Sequence, residues 1–174
     1  MTWTVFLDRD GTLNEKAPEG DYVKGPAELR MLPGAADAVA ELNGAGLRTV
    51  LVTNQRGVAR GLMSAADVLA VHAALARELA AAGAHLDAIF VCPHEEGECD
   101  CRKPGVGLFV QARDADPGID FTRSVMVGDA PSDMEAGRAA AMLTVAIGER
   151  AGAADHAAPD LAGAVPWILA TARR

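Results

Sequence analysis

Two aspartates, Asp8 and Asp10, stand one residue apart in FLDRDGT, residues 6–12, where an apolar run meets a glycine. Neighbouring carboxylates repel each other, so a chain that places them together usually supplies a cation or a reaction that offsets the repulsion. Two carboxylates can hold Mg²⁺, a hard ion that prefers oxygen ligands. A solvated loop is the alternative for a bare DxD, but Gly11, Thr12 and the preceding apolar run favour a functional site.

A second polar group ends the apolar run in VTNQRGVARG, residues 52–61. Thr53 and Asn54 could donate hydrogen bonds to a phosphoryl group. Arg56 and Arg60 could bind a second anion through charge-assisted contacts. A turn with capping residues is the alternative interpretation.

The third motif is VCPHEEGECDCRKPG, residues 91–105, which holds all three cysteines of the chain. Three cysteines so close together do not suit a disulfide framework and indicate metal binding instead. The ligand set of a closed, tetrahedral structural zinc site is present in Cys92, His94, Cys99 and Cys101. A loop of free thiols is the alternative. Four protein ligands leave no open position for catalysis, so we expect the metal to shape the loop and to present Arg102 and Lys103 to the active site.

The fourth motif, MVGDAPSDMEAG at residues 126–137, places Asp129 after an apolar run and Asp133 one helical turn later. Asp129 could complete a Mg²⁺ site. Asp133 could pair with Lys103 or orient a metal-bound water. The alternative is that Asp133 is simply an acidic residue in the first turn of a helix, where it interacts favourably with the helix dipole.

Short apolar runs alternate with alanine-rich stretches, which predicts an α/β, Rossmann-like, doubly wound parallel sheet in a single domain over residues 1–174. Strands are predicted at Thr4–Leu7, Arg48–Val52, Ala88–Val91, Ser124–Val127 and Thr144–Ile147, and helices at Ala35–Asn43, Ala65–Ala82, Val106–Arg113, Ser132–Ala140 and Val165–Ala172. Ser64 and Asp67 are expected to cap the long helix and Gly83 to end it, whereas Glu149–Gly163 is predicted to be a surface loop. Because such sheets bind ligands at the carboxyl ends of their strands, the four motifs should meet at one edge.

The composition and the net charge argue against several classes of protein. The net charge of −8 argues against nucleic-acid binding, and half of the 174 residues are hydrophobic without a continuous apolar run that could span a membrane. The first ten residues lack the basic and apolar regions of a secretion signal. We therefore expect a cytoplasmic protein, monomeric by default, whose partner is a small molecule.

The order of the motifs, DxDGT, Thr53, Lys103 and GDxxSD, resembles the haloacid dehalogenase superfamily of phosphatases over nearly the whole chain. Within it, GDYV, LPGA, TNQRGVARG and CPH…CDCRKP are similar to the heptose-1,7-bisphosphate 7-phosphatase subfamily. The close spacing of the first two motifs leaves no room for a large cap domain, so a capless enzyme is implied. In contrast to some relatives, which carry a lysine after Gly128–Asp129, this chain has Ala130, so one basic contact to the substrate is absent at that position.

The resemblance implies a role for each matching residue. Asp8 would be the nucleophile that forms an aspartyl-phosphate, and Asp10 would protonate the leaving alcohol and later deprotonate the attacking water. Mg²⁺ would be held by Asp8, the backbone carbonyl of Asp10, and Asp129. Contacts to the small phosphorylated sugar are implied for the phosphoryl ligands Thr53 and Lys103 and for Asp21, Tyr22, Asn54, Gln55, Arg56 and Arg102.

Three rival functions remain open. A histidinol-phosphate phosphatase has the same zinc loop and differs in substrate. A signalling receiver that accepts phosphate also clusters aspartates on an α/β sheet, but it needs a long-lived phosphoaspartate and no proton shuttle such as Asp10. A zinc-dependent binding module without catalysis would leave Asp8, Lys103 and Asp129 without a purpose.

Overall fold

The computed structural model describes residues 2–173, which form one six-stranded parallel sheet flanked by helices. The strands are β1 (Thr4–Leu7), β2 (Arg48–Asn54), β3 (Ala88–Cys92), β4 (Ser124–Gly128), β5 (Leu143–Ile147) and β6 (His156–Ala158). Their order in the sheet is β3-β2-β1-β4-β5-β6. This arrangement confirms the predicted doubly wound α/β fold.

The helices are α1 (Ala35–Gly44), α2 (Ala65–Ala81), α3 (Gly107–Ala115), α4 (Pro131–Ala139) and α5 (Leu161–Ala172). Two short 3-10 helices lie at Pro26–Glu28 and Phe121–Arg123. The predicted cap of α2 is confirmed, because Ser64 accepts a hydrogen bond from the Asp67 backbone and the Asp67 carboxylate accepts one from the Ser64 backbone. Within residues 2–173, no helix combines the length and apolar character that crossing a membrane requires.

Helices cover both faces of the sheet, and the strands therefore appear in the sequence as continuous apolar runs. Along β1, Val5 and Leu7 face a core that includes Leu75 of α2 and residues of α1 and α5. Phe6 points to the opposite face and packs edge to face against Phe109 of α3, with ring centroids 5.0 Å apart. The period of two in a β-strand assigns neighbouring residues to different cores.

The strand register brings the polar motifs together. Leu7 at the end of β1 pairs with Leu51 of β2 on one side and with Val127 of β4 on the other. The next residue, Asp8, donates its backbone N–H to the Val127 carbonyl at 3.0 Å. The strand order reverses on either side of β1, and this is the place where sheets of this kind bind ligands.

The predicted loop Glu149–Gly163 is wrong in part. Strand β6 pairs with β5 there, and α5 begins at Leu161 rather than at Val165. The Asp160 carboxylate accepts a hydrogen bond from the Gly163 backbone at 2.8 Å and so caps the helix upstream of Pro166. This N-cap supplies an acceptor to a backbone donor of the first turn.

Candidate active site

A buried ion triad lies at the carboxyl end of β1. The Lys103 ammonium lies 2.8 Å from an Asp8 oxygen and 2.6 Å from an Asp133 oxygen, which confirms the predicted pairing of Lys103 with Asp133. Although burial opposes it, the Asp133 and Asp8 carboxylates raise the pKa of Lys103, so the ammonium stays charged. Burial raises the pKa of Asp8 to about 7, against the effect of Lys103 and together with that of Asp133.

Asp133 also organises the start of α4. One of its oxygens accepts the Ala130 backbone N–H at 3.1 Å while the other contacts Lys103. A side chain on Gly128 would collide with this carboxylate. The glycine of the GDxxSD motif is therefore required by the close approach of Asp133 rather than by its own backbone angles.

Asp129 faces the same region from the end of β4. Burial raises its pKa, and its Oδ2 pairs with Lys16 at 2.5 Å. Its Oδ1 is buried and has no hydrogen-bond partner within the described part of the chain. Asp8, Asp129 and Asp133 each place a carboxylate oxygen within 4.8 Å of the others, a donor set that fits a divalent cation.

Three side-chain donors hold the Asp10 carboxylate. Arg9 donates to both of its oxygens at 3.1–3.2 Å, Asn14 donates to Oδ1 at 2.9 Å, and Gln55 donates to Oδ2 at 2.9 Å. Asp10 and Asp8 both line a cavity of about 160 Å³.

Residues at the end of β2 hydrogen-bond to residues of the candidate site. Thr53 is buried and accepts a hydrogen bond from Gln55 at 2.9 Å. The Asn54 side chain makes two hydrogen bonds of 3.0 Å with the backbone of Lys103, one as donor and one as acceptor. The Val52 carbonyl accepts from the Lys103 ammonium at 2.8 Å. Strand β2 thus fixes both the backbone and the side chain of Lys103.

Arginines lie at the rim of the candidate site, on the side of the cysteine loop at residues 91–105. Arg56 pairs with Glu95 at 3.0 Å, and Arg60 contacts the other oxygen of Glu95 at 3.0 Å. Arg102 lies 3.8 Å from Glu96 and has a buried Nη1 without a hydrogen-bond partner in residues 2–173. Arg102 also lines a cavity of about 250 Å³ together with Lys103.

The candidate sugar contacts Asp21 and Tyr22 line a cavity of about 230 Å³ together with Asp10 and Asn54. The Tyr22 hydroxyl accepts from Arg56 at 3.5 Å, and Asp21 pairs with Lys24 at 2.9 Å. The structure therefore brings both residues to the rim of the site.

The cysteine loop has the geometry of a metal site. Sulfur and Nδ1 atoms of Cys92, His94, Cys99 and Cys101 lie 3.2–3.6 Å apart along four edges. A tetrahedron of 2.3 Å zinc–sulfur bonds has edges of about 3.8 Å, close to these values. Burial raises the pKa of the Cys101 thiol to about 12, and the sulfurs of Cys99 and Cys92 add to the effect. A divalent cation would relieve this crowding, so the donor set fits zinc.

Four residues that sequence reasoning did not select contact the site: Arg9, Asn14, Lys16 and His72. Arg9 could have been noticed as the one cation between two carboxylates. His72 could have been noticed as a polar residue on the apolar face of α2. Lys16 lines the same cavity as Ala130 and so supplies a cation where position 130 has none.

Comparison with known proteins gives a consistent picture. Residues 4–141 match the family of haloacid dehalogenase-like hydrolases. A D-glycero-alpha-D-manno-heptose-1,7-bisphosphate 7-phosphatase of Mycobacterium tuberculosis is 40% identical over 98% of this chain and 90% of the relative. A D-glycero-beta-D-manno-heptose-1,7-bisphosphate 7-phosphatase of Rhodopseudomonas palustris is 42% identical over 78% of each chain.

A solved structure is similar along its full length. It is the D,D-heptose 1,7-bisphosphate phosphatase from B. bronchiseptica complexed with magnesium and phosphate, which is 33% identical. It superposes with a TM-score of 0.88 over 98% of this chain and 99% of that one. On the sequence match, the relatives and this shared fold, the chain belongs to the haloacid dehalogenase-like hydrolases.

Proposed function

We propose that this phosphoric monoester hydrolase removes the 7-phosphate of D-glycero-D-manno-heptose 1,7-bisphosphate through an aspartyl-phosphate intermediate, in a Mg²⁺-dependent reaction that serves nucleotide-activated heptose biosynthesis. The convergence of Asp8, Lys103 and Asp129 at the switch point of the sheet carries the proposal. The names of relatives that match most of the chain support the substrate.

The residues present fit a magnesium ion. Asp129 has a buried oxygen that finds no hydrogen-bond partner among residues 2–173, and Asp8 lies close enough to share a cation with it. Asp8, Asp129 and the backbone carbonyl of Asp10 would hold the ion. When bound, Mg²⁺ would offset the negative charge on the phosphoryl oxygens and on the paired carboxylates.

In the proposed first step, an Asp8 oxygen attacks phosphorus while the bond from phosphorus to the sugar oxygen breaks. The Asp10 carboxyl gives its proton to that leaving oxygen. Thr53 and the Lys103 ammonium bind the transferring phosphoryl group. In the second step, Asp10 takes a proton from water, the water oxygen bonds to phosphorus, and the Asp8 carboxylate is released.

The second phosphate and the sugar need their own contacts. Arg56 and Arg102 lie at the rim, where their guanidinium groups can bind a phosphate in bidentate fashion. Asp21 and Tyr22, which line one cavity together with Asp10, would contact the sugar hydroxyls. Zinc at the cysteine loop would act structurally by holding Arg102 and Lys103 in place.

Phosphate release measured with Mg²⁺ from both anomers of heptose 1,7-bisphosphate and from histidinol phosphate tests the substrate. We expect one heptose anomer to exceed histidinol phosphate in kcat/KM by a hundredfold or more, about 2.7 kcal/mol of transition-state discrimination. The relatives are named for both anomers, so the comparison also decides between them. A preference for histidinol phosphate would overturn the heptose assignment and leave the reaction class intact.

The nucleophile is tested by Asp8→Asn, which we expect to abolish turnover without unfolding the protein. Asp37→Asn, an exposed change on α1, is the matched control and should retain full activity. A folded Asp8→Asn enzyme with normal turnover would refute the aspartyl-phosphate mechanism.

A further inference from the structure

Arg9 carries a charge that is completely removed from solvent. Its side chain is 0% exposed, and its salt-bridge partner is Asp10. A buried charge is strongly unfavourable unless it is paired and hydrogen-bonded. Arg9 meets this requirement with three hydrogen bonds to the two oxygens of Asp10, so the guanidinium holds the whole carboxyl group rather than one atom of it.

His72 of α2 holds Arg9 from the other side. Its Nε2 lies 3.2 Å from Arg9 Nη1, and the imidazole is 5% exposed. Burial and the neighbouring Arg9 lower the pKa of His72 to about 4, so the ring is neutral at physiological pH. Nε2 must then accept the Arg9 N–H, which places the ring proton on Nδ1.

We propose that Arg9, anchored by His72, is a positioning residue that fixes the Asp10 carboxyl for proton transfer to the leaving group. The inference rests on the proposed role of Asp10 but not on the identity of the sugar. Before this step the Asp10 carboxylate takes up a proton from solvent; as the bond between phosphorus and the leaving oxygen breaks, that proton moves from Asp10 to the leaving oxygen and the ion pair with Arg9 is restored. Negative charge then appears on Asp10, where the fixed guanidinium stabilises it. The rigid fork of an arginine suits this task better than a flexible ammonium.

The experiment compares leaving groups. A 4-nitrophenolate leaves without protonation, whereas the alkoxide of an alkyl phosphate needs a proton from the enzyme. The kcat/KM values report the steps up to departure of the leaving group, so they isolate the acid role of Asp10. Wild type, Arg9→Met and Arg9→Lys are assayed with 4-nitrophenyl phosphate, with glycerol 3-phosphate as the alkyl ester, and with heptose 1,7-bisphosphate.

We expect Arg9→Met to lose on the order of 100-fold in kcat/KM for the alkyl esters, the lower end of what general acid catalysis contributes. The loss for 4-nitrophenyl phosphate should stay below tenfold, and Arg9→Lys should fall between Arg9→Met and wild type. Asp10→Asn, which removes the acid itself, defines the largest discrimination between leaving groups. Equal losses for both ester classes in a folded Arg9→Met enzyme would overturn the proposal.

Variants of His72 keep the test decisive if Arg9→Met does not fold. His72→Leu leaves the guanidinium without its second anchor and should reproduce the leaving-group effect at about tenfold. His72→Gln keeps an acceptor and should restore most of the wild-type ratio between the esters. Leu69→Ala, an exposed change on the same helix, controls for altered helix stability. If His72→Leu leaves the ratio unchanged, the anchor is not part of the mechanism.

The failure of the proposed function gives a different result. A wild-type enzyme that hydrolyses glycerol 3-phosphate and 4-nitrophenyl phosphate but not the heptose ester would refute the substrate, and the ratio of the kcat/KM losses for those two esters in Arg9→Met would still decide the role of Arg9. A wild-type enzyme that hydrolyses none of the three esters would overturn both proposals.

Discussion

The buried Lys103 ammonium gives the sharpest test of the electrostatics of the site. Its side chain is 1% exposed and lies between the carboxylates of Asp8 and Asp133. Lys103→Met keeps a long apolar side chain but removes the charge, so two carboxylates are left side by side without their cation. Breaking a buried ion pair by removing one partner costs about 3–5 kcal/mol, because the remaining charge stays buried.

Thermal unfolding at neutral pH in magnesium-free buffer measures this cost. A domain of this size loses about 2–4 °C in Tm per kcal/mol, so Lys103→Met should unfold roughly 10 °C below wild type. Lys24→Met is the matched control, because it also removes a lysine from an aspartate, but in a pair whose side chains are 40% and 46% exposed. An exposed pair contributes at most about 1 kcal/mol, which predicts a much smaller shift for Lys24→Met. Equal Tm shifts for the two variants would refute the reasoning that burial determines the value of the pair.

Three further predictions concern other parts of the structure. The pKa of His72, lowered to about 4 from 6.5, means that the unfolded chain binds a proton before the folded protein as the pH falls. The contribution of His72 to stability should therefore fall by about 2 kcal/mol between pH 7 and pH 5, so denaturant unfolding should show the wild type losing about that much relative to His72→Gln over this range, and a difference that stays constant with pH would contradict the low pKa of His72. Gly128→Ala drives a methyl group into the Asp133 carboxylate and should destabilise the protein by about 1–3 kcal/mol, whereas Gly44→Ala, which meets no atom within 4 Å, should be neutral or stabilising; identical Tm values would contradict the clash. Metal analysis should find one zinc per chain that survives removal of Mg²⁺ and is lost in Cys101→Ser, and three freely titrating thiols in fresh wild-type protein would exclude the site.

Much of the fold was predictable because the central strands are buried on both faces and therefore appear as apolar runs. Residues Val5 to Leu7 have this character, and the polar Asp8 marks the point where β1 leaves the core. The site followed from the same logic, since the carboxyl ends of parallel strands must share one edge.

Strand β6 lacks such a signal because it has three residues, two of them alanine. It is fixed by a long-range contact instead: the Asp155 carboxylate accepts hydrogen bonds from the backbone and hydroxyl of Thr144 at 2.8 and 2.9 Å. The hydrogen-bond partners of individual side chains also could not be predicted from the sequence. The sequence marks Asn54 as a polar residue after a strand, but only the folded chain shows that its amide is bound to the backbone of Lys103.

The position of β1 in the sheet determines when the site can exist during synthesis. β1 is made first, yet it lies between β2 and β4 and needs both as neighbours. On the ribosome, one edge of β1 stays unpaired until residues 124–127 have emerged, because those residues form the pairing partner. Until then the nascent chain holds Asp8 and Thr53 but not Asp129. The chain therefore gains its complete set of proposed catalytic groups only when β4 closes onto β1, and a nascent chain stalled before that point should be inactive and should expose an open sheet edge.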